Sequence, residues 1–443
     1  MTRTGVAVTA LVAGTLLAPL NSSMVAVALA PIGHDFALPL GTTTWVVTVF
    51  YLTACVCQPV LGRVADRIGP RRLFAAGMVV AAVASAAATT VSSLPVLVLC
   101  RGVQAAGVSA AFPCAVLVIR RSGEVHRLAA VATANTTAGA VGPVLGGLLT
   151  AWAGWRAVFW VNLPIMLVAL VLAWRAIGPD EKRPGNGLRL DPLGVLLFAA
   201  AVVALLDLML GGSWPAAAVF VVAATGFFWW ERRAAAPFVD VRALAAAPGL
   251  VAVLGTFVLF NLAYYGAFYG LPPWLQNTVG YDAAAAGLLI MPIAATSVVA
   301  TVVGGRVMGR WTLLCAGGLL LAGVAALAAF GPGVPAWLIV LDGVVLGIPY
   351  GLCNLGLQRL MYDRAPEHMS GVVAGLFQSA RYVGAILAVG VVGAAGDLRP
   401  LALAMTVVAS SVIGLLARDL RRSRSAGVAS AGQNPGRPSR VRP

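Results

Sequence analysis

Long apolar runs, cut by charges, glycines and prolines, fill most of this chain. They fall near 6–30, 43–61, 73–93, 95–119, 128–150, 157–177, 192–211, 214–230, 249–272, 284–305, 312–330, 335–358, 370–394 and 398–417. Most match the roughly 20 residues that a helix needs to cross the hydrocarbon core of a bilayer. The pattern predicts fourteen spanning helices, spans 1 to 14. A polar stretch, Gly178-Pro-Asp-Glu-Lys-Arg-Pro-Gly-Asn-Gly187, reads as a loop. Glu231-Arg232-Arg233 divides the eighth run from the ninth. The expectation is an all-α polytopic membrane protein arranged as six, two and six spans. Residues 1–177 would form a six-helix bundle and 178–244 a loop with two extra helices. Residues 245–417 would form a second six-helix bundle, and 418–443 a disordered basic tail.

Composition agrees: 60% of the 443 residues are hydrophobic and 10% charged, where a soluble domain carries about a quarter charged residues. A net charge of +15 would suit a nucleic-acid binder, but the placement of the charges excludes that partner. With both termini cytoplasmic, 26 of the 30 basic residues fall in cytoplasmic segments. Arg156 and Arg399 fall outside, and Arg101 and Arg381 lie within spans. This asymmetry follows the positive-inside rule. The expected location is a bacterial cytoplasmic membrane, multi-pass, with both termini inside. Trp45, Trp152, Trp155, Trp214, Trp274 and Trp337 mark outer span ends, and Trp229, Trp230 and Trp311 inner ones, as an interface belt.

Other chemistry is sparse. The six cysteines lie in apolar runs with no disulfide or metal spacing. His34, His126 and His368 fall at helix ends or in loops and read as surface residues. The absence of a G-x-x-x-x-G-K-[ST] loop argues against direct use of ATP. Arg3, the first apolar run and Ala28-Leu29-Ala30 imitate a signal peptide, but the run is long for one and reads as an uncleaved first span.

The two six-span blocks echo each other. Leu61-Gly-Arg-Val-Ala-Asp-Arg-Ile-Gly-Pro-Arg-Arg72 follows span 2, and Gly304-Gly-Arg-Val-Met-Gly-Arg310 follows span 10. Asn21 of span 1 has a counterpart in Asn261 of span 9. Such internal symmetry is how many carriers are built, with the substrate site between the repeats.

The loop Gly62-Arg-Val-Ala-Asp-Arg-Ile-Gly-Pro-Arg-Arg72 resembles the G-x-L-A-D-R-x-G-R-R signature of the major facilitator superfamily. Span 4 carries Leu99-Cys-Arg-Gly-Val-Gln-Ala-Ala-Gly107, similar to that family's R-x-x-Q-G-x-G. Span 5 carries Gly142-Pro-Val-Leu-Gly-Gly147, similar to the motif of its exporters. With Trp155-Arg-Ala-Val-Phe-Trp-Val-Asn-Leu-Pro164 and the two extra central spans, the chain resembles the fourteen-span drug/proton antiporter branch. The resemblance implies the major facilitator fold, with two pseudo-symmetric six-helix bundles. It implies conformational gating by Gly62, Asp66, Arg67, Gly69 and Arg72, and by Gly142, Pro143, Gly146 and Gly147. It also gives Arg101 a part in proton transfer.

One departure matters. The branch usually reads L-D-x-T-I-V-N-V-A-L-P in span 1; here Leu20-Asn-Ser-Ser-Met-Val-Ala-Val-Ala-Leu-Ala-Pro31 puts Asn21 at the acid position. Asparagine keeps the hydrogen bonding but cannot titrate. Asp342 and Asp207 remain as intramembrane acids, and Asp342, at a position that lines the cavity in this fold, is the expected coupling acid. Asn21, Gln104, Asn261, Tyr264, Tyr265, Tyr269 and Gln378 are the expected substrate-binding residues, amides and aromatic faces suited to flat organic compounds. Arg381 would meet either an anionic substrate group or an acid across the bundle.

The reading is a monomeric secondary transporter without cofactors, exporting hydrophobic or amphiphilic small molecules in exchange for protons. The same scaffold could export a specific metabolite, lipid or siderophore, and loss of the span 1 acid leaves facilitated diffusion open. Short loops and the lack of a metal cluster argue against a membrane enzyme.

Overall fold

A computed structural model describes residues 3–122, 127–180, 191–209, 212, 214–235, 237, 241–245, 247–307, 309, 311–364 and 370–432. Among these the chain is helical, with no strand. The fourteen spans expected from the apolar runs are present. Spans 1 to 3 are Arg3–Phe36, Trp45–Ile68 and Pro70–Ala88. Span 4 is two helices, Leu94–Val108 and Ala111–Arg121. Pro113 explains the break, since its ring and missing N–H cannot fit a helix continuing through residue 109. Span 5 is Arg127–Ala153, and span 6 is Ala157–Trp160 followed by Asn162–Ala176. Spans 7 and 8 are Pro192–Met209 and Trp214–Glu231.

Span 9, Pro248–Trp274, runs into a wide turn at Leu275–Val279 that ends on Gly280, whose φ of 90° favours glycine. Spans 10 to 13 are Ala283–Val307, Thr312–Leu327, Ala336–Arg364 and Ser370–Ala395. Span 14 is Leu398–Gly432. Its helix continues well past the expected end at 417, because Ala417-Arg-Asp-Leu-Arg-Arg422 is a run of mostly strong helix formers. The basic tail expected from 418 therefore begins as helix, and 433–443 lie outside the described residues.

Spans 1 to 6 pack among themselves, as do spans 9 to 14. The bundles meet through span 5 against span 10 and span 2 against span 13. Spans 9 to 14 repeat spans 1 to 6 at an offset of eight, so span 5 corresponds to span 13 and span 10 to span 2, and a pseudo-twofold axis exchanges the two contacts. Spans 7 and 8 pair with each other, and span 7 also touches spans 2 and 13. Asp191 caps span 7, accepting from the backbone N of Gly194 at 2.8 Å and from Trp230 Nε1 at 2.7 Å. The tryptophan belt needs one correction. Trp152, Trp214 and Trp337 are exposed, but Trp155 and Trp274 are buried. Trp155 donates to Asp35 at 3.0 Å, and Arg156 pairs with the same carboxylate at 2.9 Å.

Candidate functional site

Between the bundles lies a cavity of about 280 Å³. It reaches from the middle of the spans toward the end that carries both termini. Hydrogen bonds between the bundles, among the described residues, lie at mid-span or toward the opposite end. His34 bonds Asn277 at 3.1 Å, Gln276 donates to the carbonyl of Val27 at 2.9 Å, and Tyr269 donates to that of Ser22 at 3.2 Å. At the same end span 5 and span 10 interlock backbone to backbone. A side chain at Gly147 would strike the carbonyl oxygen of Ala283, and one at Gly287 would strike that of Pro143.

The cavity wall is tyrosine and amide. Six of the eight tyrosines line it: Tyr51, Tyr264, Tyr265, Tyr269, Tyr350 and Tyr382. Tyr51 and Tyr269 hydroxyls are 2.6 Å apart; Tyr269 spends its proton on Ser22, so Tyr51 is the donor of that pair. Tyr265 and Tyr350 hydroxyls are 3.1 Å apart, and Tyr264 stacks on Tyr350 with centroids at 4.1 Å. Gln58 Nε2 donates to Tyr382 at 2.7 Å, joining span 2 to span 13.

Of the expected binding residues, Tyr264, Tyr265, Tyr269 and Gln378 line this cavity. Asn21, Gln104 and Asn261 do not; each is buried and committed elsewhere. Asn261 donates back to the carbonyl of Phe257 at 2.7 Å, and Gly384 of span 13 packs on its Cβ. Asn21 and Gln104 both accept from Arg101 Nη1, at 3.1 and 2.6 Å, and Gln104 passes a bond on to Ser85 at 2.6 Å. Arg101 also donates to the carbonyl of Val46 at 3.1 Å, and its guanidinium covers Phe50 at 4.3 Å. A fully buried cation is thus held by neutral acceptors and a ring face inside the first bundle.

Asp342 is also displaced from its expected place. It is buried but absent from the cavity lining; its carboxyl lies beside Gly323 of span 11, and Oδ2 has no hydrogen-bond partner. Asp207 is exposed near the end of span 7. Arg381 lines the cavity and makes one long bond, Nη2 to Asn354 Oδ1 at 3.4 Å.

The gating motifs occupy close-packed places. Gly142 and Gly146 of span 5 lie against Ser23 and Met24 of span 1; a Cβ on Gly146 would fall 2.7 Å from the Met24 backbone. Gly62 faces Pro113 of span 4. The side chains of Asp66 and Arg67 lie outside the described residues. Gly69 has φ 94°, and the space a side chain would fill there holds the Asp180 carboxyl. Asp180 accepts from the backbone N–H groups of Arg71 and Arg72 at 3.1 and 2.9 Å. The first turn of span 3 is therefore capped from the segment after span 6. Sequence reading missed this cap, along with Tyr51, Gln58, Tyr350, Asn354, Gln358 and Tyr382. A polar stripe at four-residue spacing, Tyr350, Asn354 and Gln358, was the available signal.

Two six-helix bundles around a polar, aromatic cavity at mid-membrane are the architecture of a secondary carrier. The chain belongs to the Major Facilitator Superfamily, whose family model matches residues 11–389. It is 36% identical over 401 residues to the uncharacterized MFS-type transporter YwoD of Bacillus subtilis (strain 168), covering 87% of this chain and 88% of that one. It is 29% identical over 447 residues to a methylenomycin A resistance protein of Streptomyces coelicolor, covering 95% and 94%. A solved bacterial homolog of the human lysosomal transporter Spinster superposes with a TM-score of 0.67 at 15% identity, covering 95% of this chain and 98% of that one. That last likeness is one of fold.

Proposed function

We propose that this protein is a secondary active exporter of amphiphilic organic compounds, working by alternating access in a bacterial cytoplasmic membrane with both termini in the cytoplasm. The observation that carries the reading is the tyrosine- and amide-lined cavity between two bundles that are locked together at the end away from the termini. In this orientation the cavity faces the cytoplasm, the state that loads a compound to be expelled. The distribution of basic residues supports the orientation. A relative named for antibiotic resistance supports export.

Proton antiport is the proposed driving mechanism, with Asp342 as the acid that exchanges protons and Arg101 as the fixed charge of the first bundle. A second reading, facilitated diffusion, draws on the lack of a carboxylate among the described residues of the cavity lining. Proteoliposomes with an imposed pH gradient separate them. Antiport predicts accumulation that follows the gradient and is lost in Asp342→Asn. Equilibration that ignores the gradient would leave facilitated diffusion in its place.

A further inference from the structure

We infer that the compounds this carrier binds are organic anions, flat amphiphiles bearing one carboxylate or similar acidic group, with that group held on Arg381. The inference rests on the exporter reading above and narrows its substrate class.

The first observation is the charge of the lining. Among the described residues it contains no carboxylate, and Arg381 is its charged residue. The second is what Arg381 lacks. Beyond the 3.4 Å bond to Asn354, its Nε is buried without a hydrogen-bond partner. The titratable groups close enough to act on it are the tyrosines Tyr350, Tyr265, Tyr382 and Tyr51. The ion pairs among the described residues, Arg156 with Asp35 and Arg364 with Asp419, involve neither Arg381 nor the cavity.

A guanidinium inside a membrane bundle is costly unless an acid, backbone acceptors or water meets it. Arg101 meets three acceptors with a phenyl ring beneath it and leaves only Nη2 without a partner, sealed inside the first bundle. Arg381 has one long bond and stands at the surface of a cavity, where a ligand can reach it. Its planar fork of donors matches a carboxylate in two-point contact.

The surroundings complete the fit. Tyrosine faces suit a flat apolar body, and the hydroxyls and the amides of Gln58, Asn354, Gln358 and Gln378 offer further donors. A cationic compound would meet a like charge with no acid among the described lining residues to offset it. A volume of about 280 Å³ suits compounds of one or two rings.

The test uses the purified full-length protein and three near-isosteric probes: 2-naphthoate, 2-naphthamide and the 2-naphthylmethylammonium ion. Calorimetric affinities should rank naphthoate first and the ammonium ion last. The naphthoate preference over naphthamide should be about 10- to 150-fold, the worth of a charge-assisted hydrogen bond. Arg381→Gln should bring that ratio near one, and Arg381→Lys should keep part of it. Should Arg381→Gln fail to fold, Gln378→Glu sets a carboxylate one turn from the arginine and should collapse the same ratio. Naphthamide or the ammonium ion binding as tightly as naphthoate in the wild type would overturn the anion proposal while leaving the amphiphile reading standing. So would a preference that survives Arg381→Gln and Gln378→Glu. If none of the three binds the folded protein, both readings fall.

Discussion

The interlock between spans 5 and 10 offers a direct test of alternating access. Gly287 has no room for a methyl group: its Cβ would strike the carbonyl oxygen of Pro143 and lie 3.3 Å from the Cα of Gly147. Both neighbours are backbone, so relief requires the helices to separate. Overpacking of this kind costs about 1–3 kcal/mol. Charged to the closed state alone, that shifts the closed–open equilibrium by about 5- to 150-fold, at 1.4 kcal/mol per decade. Spin labels at Trp152→Cys and Thr278→Cys, both exposed at that end of the two bundles, would report the separation in a background lacking the six native cysteines. Gly287→Ala should move the distance distribution toward longer values. Gly255→Ala is the control: nothing lies within 4 Å of its Cβ, so the distribution should stay put while the helix gains up to about 1 kcal/mol. An unchanged distribution in a folded Gly287→Ala protein would refute the idea that this interlock holds the end shut.

Two further outcomes follow from the described contacts. Asn21→Asp would place a carboxylate oxygen 3.1 Å from Arg101 Nη1 and remove the unpartnered Nδ2. It should raise the unfolding midpoint in detergent by the equivalent of roughly 1 kcal/mol, and a lower midpoint would contradict the assigned network. Asp180→Ala removes the carboxylate that caps span 3. It should cost about 1 kcal/mol in the same assay, and an unchanged midpoint would show that the cap contributes nothing.

The spans were legible because crossing a bilayer demands long apolar runs, and the pseudo-symmetry because both halves repeat their motifs. The cavity was less so. Asn21, Gln104 and Asn261 drew attention as amides in apolar runs, yet the bonds they make go to Arg101, Ser85 and backbone inside the bundles. Periodicity marks a helix face as buried but does not tell a packed interior from a cavity wall. Tyr51 and Tyr382 carry no signal of their own in the sequence; only the meeting of span 2 with span 13 makes them a site. Asp342 differs from expectation because its carboxyl lies beside Gly323 between spans 11 and 12, away from the cavity.

The two contacts exchanged by the pseudo-twofold axis are chemically unlike. Span 5 meets span 10 by glycine against backbone, a contact whose strength depends on shape alone. Span 2 meets span 13 through polar atoms: Cys55 Sγ near the carbonyl of Ser379, and Gln58 donating to Tyr382. Tyr382 follows Arg381 directly in the chain, and both line the cavity. An anion on Arg381 would therefore sit beside the hydroxyl that joins the two bundles. Competition for the Gln58 amide would loosen the polar contact and leave the glycine contact untouched. Occupancy would then bias the equilibrium through the contact of span 2 with span 13, because a ligand shifts an equilibrium only through contacts that differ between its states.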